Sequence, residues 1–127
     1  MSDNSAISIR NELNSLVHRW TPRVVGKVND QYVKVAKLLG ELVWHSHDNE
    51  DEMFLVISGE LLIQLEDERE VRLLPGEFFV VPRGVMHNPI AVEEVEILLI
   101  ETVTTAHTGN VIVEGTVPIE RQMGADT

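Results

Sequence analysis

Cysteine is absent from all 127 residues. That excludes disulfides, thiolate metal sites and a cysteine nucleophile. It suits a reducing compartment, and the chain reads as cytoplasmic. Positive charge is scarce: 10 Lys and Arg stand against 21 Asp and Glu, a formal net charge of −11. Neutralising phosphates takes Lys and Arg, so no nucleic acid and no anionic membrane is expected as a partner. The surplus negative charge reads as solubility. Long apolar runs are missing too, and nothing approaches the length of a membrane span. No basic region followed by an apolar stretch follows Met1, so no signal peptide is expected. No repeat, linker or low-complexity segment divides the chain. At this length it reads as one domain, 1–127, with a core of its own. No serine sits in a recognisable nucleophile arrangement, and no helix-turn-helix segment is attached.

Two kinds of periodicity are present. Ile9, Leu13, Leu16, Val17 and Trp20 recur at helical spacing and predict an amphipathic helix over about 5–20. Ser5 or Ser8 supplies its cap and Pro22 its end. His18 lies off the stripe and reads as solvated. The helix is expected as a lid packing Trp20 onto one end of a β structure, or as an arm docking on a second subunit. From Gln31 the period falls to two. Strands are expected at 32–44, 53–57, 61–65, 71–74, 78–81 and 95–102, with a last short one at 111–113. Ser58-Gly59, Glu66-Asp67-Glu68, Pro75-Gly76 and Pro82-Arg83-Gly84 supply the turns. Short strands at this spacing argue for an all-β antiparallel sandwich or barrel over about 31–113. A loose tail is expected at 123–127.

The chemistry concentrates in two short patterns. His45-Ser46-His47 is followed by Glu52 and Gly59. Gly76, Pro82, Gly84 and His87 form the second. In a strand, residues i and i+2 share a face, so His45 and His47 project together. Glu52 opens the next strand and shares its parity with Phe54 and Val56. Its side chain is therefore expected at the mouth, above an apolar wall that Val43 extends. Pro82 and Gly84 shape a turn that delivers His87 from another segment. Three imidazoles and a carboxylate form a donor set that suits a first-row divalent metal. Glu50 and Asp51 compete for the carboxylate role, but read as solvated loop charges.

Other polar residues near the patterns lend themselves to lesser roles. Lys37 and Glu41 share the parity of His45 if no bulge interrupts at Gly40. Lys37 would then bind an anion and Glu41 would act behind the ligands; a bulge there is plausible and would undo both. Gln64 enters the barrel only if Leu61, Ile63 and Leu65 face elsewhere. Phe79 and Met86 read as core. Arg83 reads as exposed beside its turn, and His107 as a loop residue rather than a fifth ligand. No catalytic residue can be named.

These two patterns resemble the paired motifs of the cupin superfamily, whose members share a small β-barrel or jelly roll. His45, His47, Glu52 and Gly59 meet the first motif, and Gly76, Pro82, Gly84 and His87 the second. The leading glycine is offset, at Gly40 instead of position 39, and Ala91 stands where the second motif ends in asparagine. Residues 60–75 separate the motifs, as in compact single-domain microbial cupins. Trp44 to His47 with Phe79 to Val85 is also similar to small cupins loosely labelled mannose-6-phosphate isomerase-like. The resemblance implies that His45, His47, Glu52 and His87 ligate one divalent transition metal per subunit: Fe, Mn, Ni, Zn or Cu. It implies no one reaction.

Three neutral imidazoles and one carboxylate leave two open positions on an octahedral ion. That suits an oxygenase, or an isomerase or lyase using the ion as a Lewis acid. A small metal-dependent enzyme acting on a polar small molecule is thus expected. The alternative is a non-enzymatic module binding a sugar, metabolite or metal. A homodimer is also expected: cupin-like barrels often pair, and the apolar segment 32–39 offers a strand to cover. Capping of that segment by the N-terminal helix would leave a monomer instead.

Overall fold

In the computed structural model, which describes residues 5–109 and 111–125, the N-terminal helix is shorter than its stripe predicts. Helix α1 spans Ile9–Asn14. The Ser8 hydroxyl accepts the Asn11 N–H at 3.1 Å, satisfying one donor left free at a helix start. Ile9, Leu13 and Leu16 pack with Val25 and Val35, so the stripe faces the sheet. Val17 does not, being 74% exposed. The helix stops early because Trp20 is held elsewhere. Its amide donates to the Lys37 carbonyl at 2.8 Å and its indole N–H to the Leu39 carbonyl at 2.6 Å. Its φ of +60° is outside any right-handed helix. The ring packs against the barrel core, as a lid would.

Seven strands follow: β1 (Arg23–Val28), β2 (Gln31–Glu41), β3 (Glu52–Ser58), β4 (Leu61–Leu65), β5 (Glu70–Leu73), β6 (Phe78–Val81) and β7 (His87–Thr102). Every pairing is antiparallel, in the order β1-β2-β7-β3-β6, with β4 pairing β5 and β7. β1 lies before the expected start of the barrel. Asn29-Asp30 joins it to β2, with Asn29 at φ +51°, the left-handed conformation that two-residue hairpins favour. β2 ends at Glu41 rather than at 44, and bulges between Leu38 and Gly40. β7 begins at His87 rather than at 95. Its first part pairs with β4 and its second with β3, while β2 follows both parts. The exposed residues 92–94 bulge out between the two parts. The expected strand at 111–113 does not form; Val111, Ile112 and Val113 are exposed in a loop. The tail is not loose throughout: Arg121–Ala125 makes one π-helical turn against β1.

Inward alternation builds one core from six strands. Ala36 and Leu38 of β2, Phe54 and Val56 of β3, and Leu61, Ile63 and Leu65 of β4 meet Leu73, Val81 and the odd-numbered run Ala91, Val95, Ile97 and Leu99 of β7. The sheet thus curls around its own apolar face. The segment 32–39 is not an edge: β1 and β7 flank it, and α1 lies against it. Among the described residues, no helix is long and apolar enough to cross a membrane.

Candidate metal centre

The site is assembled by backbone hydrogen bonds between the two sequence patterns. His45 and His87 exchange both amide bonds, N–H to carbonyl, at 3.0 and 2.9 Å. Residues so paired carry side chains on the same side, and their ring centroids lie 4.4 Å apart. The Gly84 amide then donates to the His47 carbonyl at 2.8 Å. The turn of the second pattern, with Gly84 at φ +78°, is thereby fastened to the first. Glu52 enters as the first residue of β3.

All four side chains are buried, and one ligand atom from each lies within 4.8 Å of the other three. Glu52 Oε1 is 3.4 Å from both His47 Nε2 and His87 Nε2. Bond lengths of about 2.1 Å put neighbouring ligand atoms on an octahedral ion about 3 Å apart and opposite ones about 4 Å apart. The cluster therefore fits an ion with small inward movements. Two tautomers suit the same end. His45 Nδ1 lies 2.7 Å from the Val43 carbonyl and His87 Nδ1 3.0 Å from the Val85 carbonyl. Carbonyls only accept, so Nδ1 carries the proton in each ring and Nε2 keeps its lone pair. His47 Nε2, His87 Nε2 and Glu52 Oε1 are buried without a hydrogen-bond partner. Such groups are costly to leave unmade, and a shared cation would satisfy all three. Burial, and then the neighbouring His87, lowers the His45 pKa to about 4.

Behind Glu52 stands a charged chain that the two patterns do not include. Glu101 of β7 is directly across from it. Glu101 Oε1 is 2.7 Å from Lys34 Nζ, which donates to Gln122 Oε1 at 2.5 Å. Burial raises the Glu101 carboxyl well above the usual range, the Glu52 charge adds to this, and Lys34 opposes it. Burial pushes Glu52 up as well, but the nearby Glu101, His47 and His87 outweigh it and hold Glu52 well below that range. Parity alone points to this chain. Lys34 shares the face of Ala36 and Leu38, and Glu101 that of Leu99 and Ile97.

The other candidates lie elsewhere. The bulge at Gly40 breaks the parity of β2 with His45. Lys37 is half-buried beside Glu96, and Glu41 is exposed and accepts from Asn88 Nδ2 at 3.0 Å. Gln64 stays outside, because Leu61, Ile63 and Leu65 fill the core; it too accepts from Asn88, at 3.2 Å. Arg83 is exposed, its amide donating to Asp51 at 2.8 Å, and Glu50 accepts from Thr104 at 2.8 Å. Phe79 packs on the core, whereas Met86 is 37% exposed. Val43 does not line the pocket, because 42–44 leaves the strand; Leu42 takes its place.

The pocket runs along Ala36, Leu38, Phe54, Ile97 and Leu99 to His45 and Glu52, with Trp20, Pro22 and His107 completing it. It encloses about 350 Å³ counting its mouth. A water's centre fits in only about 30 Å³ of that, room for about two waters.

A protein-family model described as "Cupin domain" matches residues 33–103, and the chain belongs to the cupin family. It is similar to a cupin-2 domain containing protein from Shewanella frigidimarina, with 40% identity, 76% of this chain and 93% of that one covered, and a TM-score of 0.73. It shares its fold with a hydroquinone 1,2-dioxygenase from Sphingomonas sp. TTNP3 at 23% identity, 77% of this chain and 32% of that one covered, and a TM-score of 0.70. The uncharacterized protein YdbB of Bacillus subtilis is 38% identical over 64 residues, 50% of this chain. That match spans 57% of YdbB, little more than half its length.

Proposed function

We propose that His45, His47, Glu52 and His87 hold one divalent transition-metal ion, and that the chain is a small metal-dependent enzyme acting on a polar small molecule. The observation that carries this reading is the convergence of buried, unpartnered Nε2 and Oε1 atoms from three segments. When bound, the ion supplies Lewis acidity or, if redox-active, electron exchange. The chain's own residues do the rest. Val43 and Val85 fix the rings of His45 and His87 through their carbonyls. Glu52 reduces a divalent charge to one net positive, which draws oxygen ligands. Phe54, Leu38 and Leu99 line the approach with apolar surface. The fold shared with a hydroquinone 1,2-dioxygenase favours an oxygenase over an isomerase. A cytoplasmic location belongs to the same reading.

A non-enzymatic binding module is the second reading, and the narrowness of the pocket favours it. Elemental analysis of purified protein tests the metal, with His47→Ala and Glu52→Gln as controls. About one ion per chain is expected, and well under half of that in either variant. Full occupancy in both variants, with the fold retained, would remove these residues from the ligand set. Oxygen uptake on a panel of diols, keto acids and sugars then separates enzyme from binding module.

A further inference from the structure

One wall of the pocket lies outside both motifs: the loop 103–109, which carries His107. This loop is held firmly against the ligand segment. Gly109 lies so close to Ser46 that a Cβ there would overlap the Ser46 carbonyl oxygen. Ser46 stands between two of the candidate ligands. The Thr108 side chain is buried and bonds the Thr116 hydroxyl at 2.8 Å and the Val111 carbonyl. Thr104 donates to Glu50. The position of His107 relative to His45 and His47 is therefore set by contacts on both sides.

The His107 ring has only one protonation pattern open to it when neutral. Its Nδ1 accepts the Val117 amide N–H at 2.9 Å. An amide can only donate, so Nδ1 bears the lone pair and the proton sits on Nε2. Burial lowers the pKa of the ring to about 4, so it is neutral at physiological pH. Val117 belongs to a neighbouring cavity that His107 also lines. The ring thus divides two cavities, with its Nδ1 edge toward Val117. Its other edge borders the pocket of His45 and Glu52. No hydrogen bond from Nε2 is present among the described residues. Nor does His107 join the cluster of four ligand atoms.

We propose that His107 orients the ligand of this pocket, donating its Nε2–H to an oxygen of a small bidentate oxyanion whose other oxygens take the open positions on the metal. This rests on the metal reading above and extends it to a ligand class: compact carboxylates with a vicinal carbonyl, hydroxyl or second carboxylate. Three features select that class together. The ion with Glu52 carries one net positive charge. The Nε2–H has no protein acceptor among the described residues and is a donor that a ligand oxygen can meet. The small free volume selects against larger skeletons.

The test uses the full chain loaded with Co(II), whose visible spectrum reports ligand entry. Oxalate is the acceptor-bearing probe, and ethylenediamine is a chelator without an acceptor. Dissociation constants for Co(II), oxalate and ethylenediamine are measured in the wild type, His107→Phe and His107→Asn. Loss of one hydrogen bond to a charged group is expected to weaken oxalate about tenfold in His107→Phe. His107→Asn, which keeps an N–H, should recover much of that loss. Affinities for Co(II) and ethylenediamine should not move. Unchanged oxalate affinity in His107→Phe overturns the role of His107 and leaves the metal site standing. An equal loss for both chelators assigns His107 to pocket shape and also overturns it. If oxalate never enters the Co(II) shell of the wild type, the open-site reading fails and this proposal with it. Should His107→Phe not fold, the Zn(II)-loaded wild type decides by NMR. Oxalate should bring up a downfield His107 Nε2–H resonance, and a resonance that does not respond rejects the proposal.

Discussion

Lys34 is fully buried, and its ammonium group holds Glu101 and Gln122 together. Lys34→Met keeps the length of the side chain and removes the charge and all its donors. Breaking one side of a buried ion pair costs about 3–5 kcal/mol, and leaving the Gln122 oxygen without a donor adds about 1–3 kcal/mol. Glu101 has one escape, which is to take up a proton. Its carboxyl is already raised by burial and by Glu52, and Lys34 is the group opposing that rise. Proton uptake therefore caps the loss, and about 3 kcal/mol is expected at pH 7.5, toward the low end of that range. For a chain of this length that lowers Tm by about 10 °C. The sign with pH follows from linkage. A carboxyl whose folded pKa lies above its unfolded value destabilises the fold once pH exceeds the unfolded value. Lys34→Met raises that folded pKa further, so the deficit should be small near pH 4 and grow with pH. Urea unfolding of EDTA-treated protein at pH 5 and 7.5 measures this without any contribution from bound metal. Adding Glu101→Gln to Lys34→Met should recover most of the loss at pH 7.5. A deficit under about 1 kcal/mol, or one that neither varies with pH nor responds to Glu101→Gln, would refute the reasoning.

Gly109→Ala forces a Cβ onto the Ser46 carbonyl at a backbone φ of +60°. It should cost roughly 1–3 kcal/mol in stability and weaken metal binding through His45 and His47; an unchanged Tm and metal Kd would show that the loop is not held as described. His45 and His107 are both lowered to about 4 by burial. The unfolded chain binds more protons than the fold between that value and about 6.5, so metal-free stability should fall as pH drops through this window and level off below it. A flat urea midpoint from pH 7 to 4 would contradict the buried neutral rings. Metal affinity should decline over the same range, since only neutral imidazole ligates. The chain is expected to form a homodimer. With 32–39 covered, one surface left for pairing is the edge strand β6, where Phe78 is 61% and Val80 41% exposed. Sedimentation at micromolar concentration showing a single species near 14.3 kDa would exclude the pairing.

The barrel was legible wherever alternation is clean. β4 and β6 fall where the period of two places them, and Glu52 opens β3 with Phe54 and Val56 behind it. Legibility failed where backbone geometry interrupts the period. Pro89 and the bulge at 92–94 hide the first half of β7. Lys37 takes the outward parity opposite Ala36 and Leu38, and the chain leaves β2 after Glu41, so neither shares the face of His45. The helix was overextended because Leu16 is buried like its helical neighbours, although the chain has already left the helix. β1 was missed because a register shift between Val24 and Gly26 interrupts its alternation, although Val24, Val25 and the Asn29-Asp30 turn carry a hairpin signal. Lys34 and Glu101 were readable by parity but carry the wrong polarity for a core. Charged residues at inward positions signal a buried network only when their partner is known, and that partner lies 67 residues away in sequence in this case, from Lys34 to Glu101.

The four candidate ligands and the positions that bring them together all fall within the segment shared with the family, 33–103. The remaining walls of the pocket do not. Trp20 and Pro22 precede that segment and His107 follows it, while Gln122, which anchors Lys34 behind Glu52, lies further on. On the proposed reading, the capacity to hold an ion thus lies in the matched barrel. What a bound ion would meet is set in part by segments outside the matched residues 33–103. Both flanks are tied to the barrel by specific bonds: Trp20 to the carbonyls of Lys37 and Leu39, and His107 through the Gly109–Ser46 contact. Exchanging residues within those flanks should therefore change which small molecule enters while leaving metal affinity in place. Changes at Lys34, Glu101 or Gln122 should act in the opposite sense, on the carboxylate ligand first.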